Sequence, residues 1–141
     1  MQGTRQPSFH QKTVQALAPA SRSANTYDGT VIDMLGYEWA EIIVDAGAVA
    51  TTGTLIVTAR DGESAAGSDD AAVTGATMTT ITSANDNQVH AGELYVPPRK
   101  RYLTVRAVVA NDAAVFGIVV KLHGPKTEPV EDPAPAFAVT E

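Results

Sequence analysis

Few side chains in this sequence have the types and spacing that metal binding or catalysis requires. His10, His90 and His123 stand on three separate segments, whereas a zinc site takes three or four ligands, with its histidines at short, regular spacings. We therefore expect these histidines to be exposed or lightly buried and to bind no metal. The chain contains no cysteine, which excludes disulfides and thiolate chemistry.

An acidic loop raises the question of calcium binding. Residues 61–70 include Asp61, Glu63, Asp69 and Asp70, and Ca²⁺ prefers oxygen ligands of this kind. The order of acids and glycine that characterises an EF-hand loop is absent, and serine and alanine interrupt the cluster. We therefore interpret the loop as a solvated surface segment.

Paired carboxylates suggest a second chemistry, glycoside hydrolysis. Asp28 with Asp33, or Glu38 with Glu41, would have to lie about 5–9.5 Å apart in a cleft that binds sugar. Only one tryptophan, four tyrosines and three phenylalanines are spread over the chain, which is too few for an aromatic-lined catalytic cleft. Nucleophile-elbow, P-loop and dinucleotide-binding motifs are also absent from the sequence. We predict a protein that is not an enzyme and has no cofactor.

A run of three cations is the strongest local charge feature. Arg99, Lys100 and Arg101, here called the basic turn, follow residues 97–98, a proline pair, and precede an apolar strand. Positive charge at a strand entry discourages unwanted edge pairing. It also suits a contact with an acidic partner, because arginine binds carboxylates in a bidentate way. Both interpretations remain open at the level of sequence.

Two aromatic residues flank an acidic strand. Tyr37 and Trp39 lie on the opposite face of that strand from Ala40, Ile42 and Val44. Tryptophan and tyrosine are enriched in interface hot spots. As the single tryptophan of the chain, Trp39 is equally suited to the centre of the core.

The elements that must position these residues are β-strands. Apolar and polar residues alternate from residue 27 onward, and glycine, asparagine and aspartate mark the turns. The pattern predicts strands over 38–45, 54–59, 73–82, 89–96, 102–109 and 115–123. Seven or eight short strands indicate an all-β fold, either a single antiparallel β-sandwich of jelly-roll type or a small barrel. A chain of 141 residues forms one such domain.

Charge divides the chain into three parts. The first 25 residues contain no acid, and all 16 carboxylates follow them. We predict an extended basic N-terminal arm over 1–25, a sandwich body over 26–124, and an acidic, proline-rich C-terminal tail over 125–141.

The predicted arm has both charged and apolar residues suited to a partner surface. Its cations are Arg5, Lys12 and Arg22, and its apolar anchors are Phe9, Val14 and Leu17. A segment of this composition is disordered in isolation, apart from a conceivable helical turn over 11–17 before Pro19. We expect these residues to contact another protein or a neighbouring subunit.

Two stretches of the body resemble the small head decoration (cement) proteins of tailed bacteriophages. The first is DGTVIDMLGYEWAEIIVDAG over 28–47, followed by GTLIVTA over 53–59. The second is PRKRYLTVRAVV over 98–109, which is similar to a Lys-Arg-Tyr-Leu strand of that group. The resemblance covers residues 28–124.

The resemblance implies a virion structural protein on the outer surface of the capsid. Such a protein binds the major capsid protein, bridges neighbouring capsomers and forms dimers or trimers with copies of itself. It would place the arm along the shell or a neighbouring subunit and the basic turn near a contact. The core of small side chains agrees with an oligomer, because shared burial offsets the cost of ordering.

Other partners and functions are weighed against this expectation. The acidic body argues against nucleic acid as a partner, and no apolar run reaches the roughly 20 residues that cross a membrane. The alternatives are another virion β-protein, such as a head–tail or tail component, and a carbohydrate-binding β-sandwich. A carbohydrate-binding module would expose clustered aromatic residues on one sheet face.

Overall fold

The protein is an antiparallel β-sandwich. A computed structural model describes residues 10–126, so Arg5, Phe9 and residues 127–141 lie outside the described part. Nine strands occur in it. They are β1 (Gln11–Arg22), β2 (Asn25–Asp28), β3 (Ile32–Asp33), β4 (Trp39–Val49), β5 (Thr54–Gly62), β6 (Ala71–Thr77), β7 (Val89–Tyr95), β8 (Tyr102–Ala110) and β9 (Ala114–His123).

The strands divide into two sheets that cover each other. The first sheet has the order β1-β9-β4-β7, and the second has the order β2-β8-β5-β6, with β3 also paired to β8. All pairings between these strands are antiparallel. The predicted all-β sandwich is confirmed. Residues 10–126 include no helix that is long and apolar enough to span a membrane.

Alternation along the central strands builds the core. On β4, Ala40, Ile42 and Val44 point inward, and β8 and β9 present equivalent buried rows. Phe116 is 1% exposed and is the one aromatic side chain in the buried core of the described residues. Alanine, valine, isoleucine and leucine fill most of the rest, as the composition predicted.

The predicted division at residue 25 is corrected by β1. Gln11–Arg22 pairs with β9 along the edge of the first sheet, so these residues form neither a free arm nor a helical turn. Ala16 is buried, and Val14 and Leu17 pack against the core. The register shifts near Leu17, and Pro19 is tolerated because β1 is an edge strand. These irregularities conceal the strand period in the sequence.

A backbone contact joins β1 to the second sheet. The amide of Thr30 donates to the carbonyl of Ala16 over 2.9 Å. A Cβ on Gly29 would lie 2.9 Å from the same carbonyl oxygen, so the absence of a side chain allows this close approach. The two sheets are therefore tied together along this side of the sandwich.

One end of the sandwich, here called the terminal end, is the end where β1 begins and β9 ends. The turns over 34–38, 63–70 and 96–101 lie at this end, as the strand registers require. The Lys126 amide donates to the Gly36 carbonyl over 2.8 Å. Both limits of the described chain thus lie at the terminal end.

Candidate binding surface at the terminal end

An aromatic pair lies on the outer face of the first sheet. Tyr95, Trp39, His123 and Gln11 stand side by side on β7, β4, β9 and β1. The ring centroids of Trp39 and Tyr95 are 5.1 Å apart, with their planes inclined at 57°. Trp39 is 40% exposed and Tyr95 is 45% exposed. Trp39 therefore belongs to the surface rather than to the core.

Tyr37 was predicted on the same strand face as Trp39, but it precedes β4 and does not share the exposed position of Trp39. Its side chain is half-buried and packs against the core. Its amide donates to the carbonyl of Met34 over 3.2 Å, within the turn that precedes β4. Tyr37 thus supports the turn, and its predicted partner contact gains no support from this placement.

A charged row follows the aromatic row on the same face. Glu93, Glu41, Lys121 and Thr13 lie in register on β7, β4, β9 and β1. The two carboxylates face each other directly, an arrangement that repels. Lys121 flanks Glu41 on its other side, and His123 Nε2 lies 3.5 Å from Glu41 Oε1. The row therefore combines charges of both signs.

The two rows enclose a shallow depression. Trp39, Ala40, Glu41, Glu93 and His123 line it, and its volume is about 250 Å³. With the ring of Tyr95 beside Trp39, we call this the aromatic cleft. The cleft presents aromatic surface, acceptor oxygens and an imidazole within one concave site.

The basic turn is engaged through one of its three cations. Arg101 forms a bidentate pair with Asp33, with Nε to Oδ1 at 3.0 Å and Nη2 to Oδ2 at 2.9 Å. Hydrogen bonding to Arg101 lowers the pKa of Asp33 against the opposing effect of desolvation. The same bond raises the pKa of Arg101. The guanidinium also lies 5.1 Å from the ring centroid of Tyr102.

The other two cations are positioned through their backbones. The amide of Lys100 donates to Asp61 Oδ2 over 3.0 Å, and the amide of Arg99 donates to the Val96 carbonyl over 2.8 Å. Among the described residues, Arg101 is the member of the basic turn that forms a side-chain ion pair. Lys100 is exposed and Arg99 is half-buried. The charge of Lys100 contributes to the lowered pKa of Asp69.

The remaining cations predicted to bind a partner have structural contacts. Arg22 lies at the opposite end of the sandwich, where its Nη2 donates to the Ala18 carbonyl over 2.7 Å. Its guanidinium lies 5.1 Å from the ring centroid of Tyr27 and 5.6 Å from that of Phe116. Lys12 contributes to the lowered pKa of Asp33 through its charge. The predicted contact residues are therefore not all brought together.

The acidic loop is organised by its own backbone. Asp69 accepts hydrogen bonds from the amides of Ser64 and Glu63, which lower its pKa. Arg60 donates from Nε to Asp70 Oδ1 over 3.1 Å and from Nη2 to the Asp70 carbonyl over 3.0 Å. In residues 10–126 no group of three His, Asp or Glu side chains has the arrangement of a metal site.

Sequence reasoning missed Tyr95, Glu93 and His123 as members of the site. All three occupy outward positions of alternating strands, which the sequence does show. Their proximity to Trp39 depends on the registers of β4 with β7 and of β4 with β9. Sequence spacing carries no signal for those registers.

Comparison with known proteins identifies the fold. No protein-family model matches the chain, and no curated protein matches it. The crystal structure of PBSX exported protein XepA matches with a TM-score of 0.59 and 13% identity, over 90% of this chain and 42% of XepA. The likeness shows the sandwich fold. The chain spans less than half the length of that protein.

A second solved structure is similar over most of both chains. It comes from the endospore appendages of Bacillus, described as a family of disulfide-linked pili. The TM-score is 0.47 and the identity is 11%, over 89% of this chain and 99% of the other. The present chain has no cysteine.

Proposed function

We propose that the protein is a decoration, or cement, protein of a tailed bacteriophage. It binds the major capsid protein on the outer surface of the virion head and bridges neighbouring capsomers. The resemblance of residues 28–124 to such proteins motivates the proposal. The observation that carries it is that the exposed Leu35 and the cations Arg99 and Lys100 all lie at the terminal end. A β-sandwich of this kind also occurs in a protein described as exported, which is compatible with a structural component of a virion or of the cell exterior.

Two features of the terminal end, the basic turn and the exposed Leu35, suit a protein surface that is acidic and partly apolar, while the loop over 63–70 adds carboxylates at the same end. Arg99 and Lys100 supply positive charge, and Arg101 is already neutralised by Asp33. Leu35, in the turn over 34–38, is 64% exposed. An apolar side chain surrounded by polar groups is the usual composition of a protein-binding patch. We assign the shell contact to Leu35, Arg99 and Lys100.

The residues before β1 extend this contact. Residues 1–9 precede β1, which begins at Gln11 at the terminal end. Their cation Arg5 and their aromatic residue Phe9 are assigned to the shell or to a neighbouring subunit. Association of two or three copies on the shell would add to the burial that the small side chains of the core provide.

Reconstitution on capsids that lack the protein tests this function. Three proteins are compared with the full chain: a deletion of residues 1–9, the variant Arg99→Ala/Lys100→Ala, and Lys121→Ala as a control on the sheet face. Sedimentation of heads with bound protein measures occupancy against concentration. We expect the deletion and the double variant each to weaken binding by about tenfold or more, equivalent to roughly 1.4 kcal/mol. The control should bind like the full chain.

Two results would contradict the proposal. Unchanged binding by both the deletion and the double variant would remove the terminal end from the contact. Binding confined to the tail or to the portal vertex would favour the alternative of a head–tail or tail component. In either case circular dichroism must show the variants to be folded.

A further inference from the structure

The aromatic cleft has a composition that shell binding does not require. Trp39 and Tyr95 are the exposed aromatic pair of the described surface, and they lie on a sheet face rather than in a turn. Their rings meet at 57° and so form two walls instead of a flat patch. Clustered aromatic residues on one sheet face are the feature expected of a carbohydrate-binding sandwich.

Size and shape restrict what the cleft can hold. Its volume of about 250 Å³ lies below the roughly 300–1,000 Å³ of pockets that bury drug-sized ligands. The depression therefore suits a single ring, with any further rings lying over the exposed face of Tyr95. A pyranose has an apolar face of C–H groups, which packs well on the faces of tryptophan and tyrosine.

The polar groups of the cleft match hydroxyl groups. The ionised carboxylates of Glu41 and Glu93 only accept hydrogen bonds, and a neutral imidazole both donates and accepts. Sugar hydroxyls both donate and accept, so the hydroxyls at the edge of a pyranose can form hydrogen bonds with Glu93 and His123. The apolar face of the sugar ring and the sugar hydroxyls are thus recognised by adjacent parts of the same site.

Charges of both signs surround the cleft. Glu41 is flanked in register by Lys121 and lies 3.5 Å from His123. Lys121 offsets one of the two carboxylates, and His123 offsets the other only when it is protonated, so the net charge of the cleft is small. A lysine or arginine side chain would gain from the rings and the two carboxylates and would be opposed by Lys121, so a cationic probe is included in the test below.

The surroundings also differ from those of a protein interface. The other large apolar side chains exposed on this face are Val89 and Val115, which are 61% and 39% exposed. Both lie toward the opposite end of the sheet, beyond the row of Glu93, Glu41 and Lys121. The next row on this face, Ala91, Ile43 and Val119, is apolar, and the charged row separates the aromatic pair from it.

We propose that the aromatic cleft is a carbohydrate-binding site that holds one pyranose ring against Trp39 and Tyr95, with Glu93 and His123 bonded to its hydroxyls. This function is additional to shell binding and does not depend on it. Trp39 is accordingly left out of the assigned shell contact. Head decoration and sugar binding can then fail or succeed separately.

The site has a built-in reporter, because Trp39 is the only tryptophan of the chain. Its fluorescence is followed while the full chain is titrated with five oligosaccharides: cellohexaose, maltohexaose, chitohexaose, mannohexaose and xylohexaose. Each is added up to about 10 mM, which is about ten times a Kd of 1 mM. N-acetyl-arginine amide is titrated as a cationic probe. We expect a saturable change in emission with at least one oligosaccharide and none with the arginine derivative.

Calorimetry with the responding oligosaccharide then tests the residues. Tyr95→Ala should weaken binding by about tenfold, and Glu93→Gln should weaken it by about fivefold. Val115→Ala, an exposed apolar position on the same face, should have no effect. All three positions are exposed, so the variants are expected to fold, as circular dichroism would verify.

Three outcomes would overturn the proposal. The first is no saturable change with any of the five oligosaccharides. The second is saturation by the arginine derivative alone, which would identify a site for a basic protein side chain. The third is equal weakening by Val115→Ala and Tyr95→Ala. None of these results bears on binding to capsids.

Discussion

The replacement of Val14 and Leu17 by alanine tests whether β1 belongs to the fold. Both side chains pack against the buried core, and their register partners on β9 are Val120 and Ile118. Complete burial of a valine or leucine stabilises a protein by about 1.5–3 kcal/mol. Since both side chains are only partly buried, we expect about 1–2 kcal/mol from each and about 2–4 kcal/mol from the pair.

Urea denaturation followed by far-ultraviolet circular dichroism measures this loss. With a slope of about 1–3 kcal/mol per molar urea, a loss of about 3 kcal/mol lowers the midpoint by roughly 1–3 M. Gln15→Ala is the matched control, because Gln15 lies between the two positions and is exposed. Its effect should stay within about 0.5 kcal/mol.

A small effect of the double variant would instead favour the predicted extended arm. If residues 11–22 were unpacked, Val14→Ala/Leu17→Ala would change stability by no more than the surface control. A midpoint equal to that of Gln15→Ala would therefore refute the account of β1. The capsid experiment deletes only residues 1–9, because a deletion of the whole predicted arm over 1–25 would remove β1 from the sheet.

Three further predictions concern the body. Phe116→Ala should cost about 3–5 kcal/mol in urea denaturation, because the ring is buried in the core. Gly29→Ala should destabilise by about 1–3 kcal/mol in the same assay, because its Cβ would lie 2.9 Å from a backbone oxygen. Arg106 lowers the folded-state pKa of Asp28 below 3.8, so this pair stabilises the fold above that pH and its contribution is lost as pH falls through the folded value. Asp28→Asn should therefore remove part of the loss of stability that the protein shows as pH falls below about 4. This part is at most roughly 1 kcal/mol, since the pair is partly exposed.

The central strands were predictable because their alternation is long and uninterrupted. The expected strands 102–109 and 115–123 correspond to β8 and β9 within a residue at each end. The expected strand 73–82 was only partly right, since β6 covers Ala71–Thr77. Its pairing with β5 shifts in register, Gly75 has a φ of 82°, and Ile81 forms only an isolated bridge.

The contacts of the candidate surfaces could not be predicted because they depend on long-range register. The Arg101–Asp33 bond joins residues 68 positions apart, and the Arg106–Asp28 bond joins residues 78 positions apart. The sequence did place Trp39 on the face opposite the buried row of β4. It could not show that Tyr95 lies beside it, because this depends on how β7 pairs with β4.

The most direct test of the proposed function is the copy number of the protein in purified virions. Quantitative mass spectrometry would compare it with the major capsid protein in particles from cells that express both genes. A decoration protein should be present in a fixed ratio to the capsid protein, at many copies per head. Absence from intact particles, or a few copies confined to the tail fraction, would contradict the account.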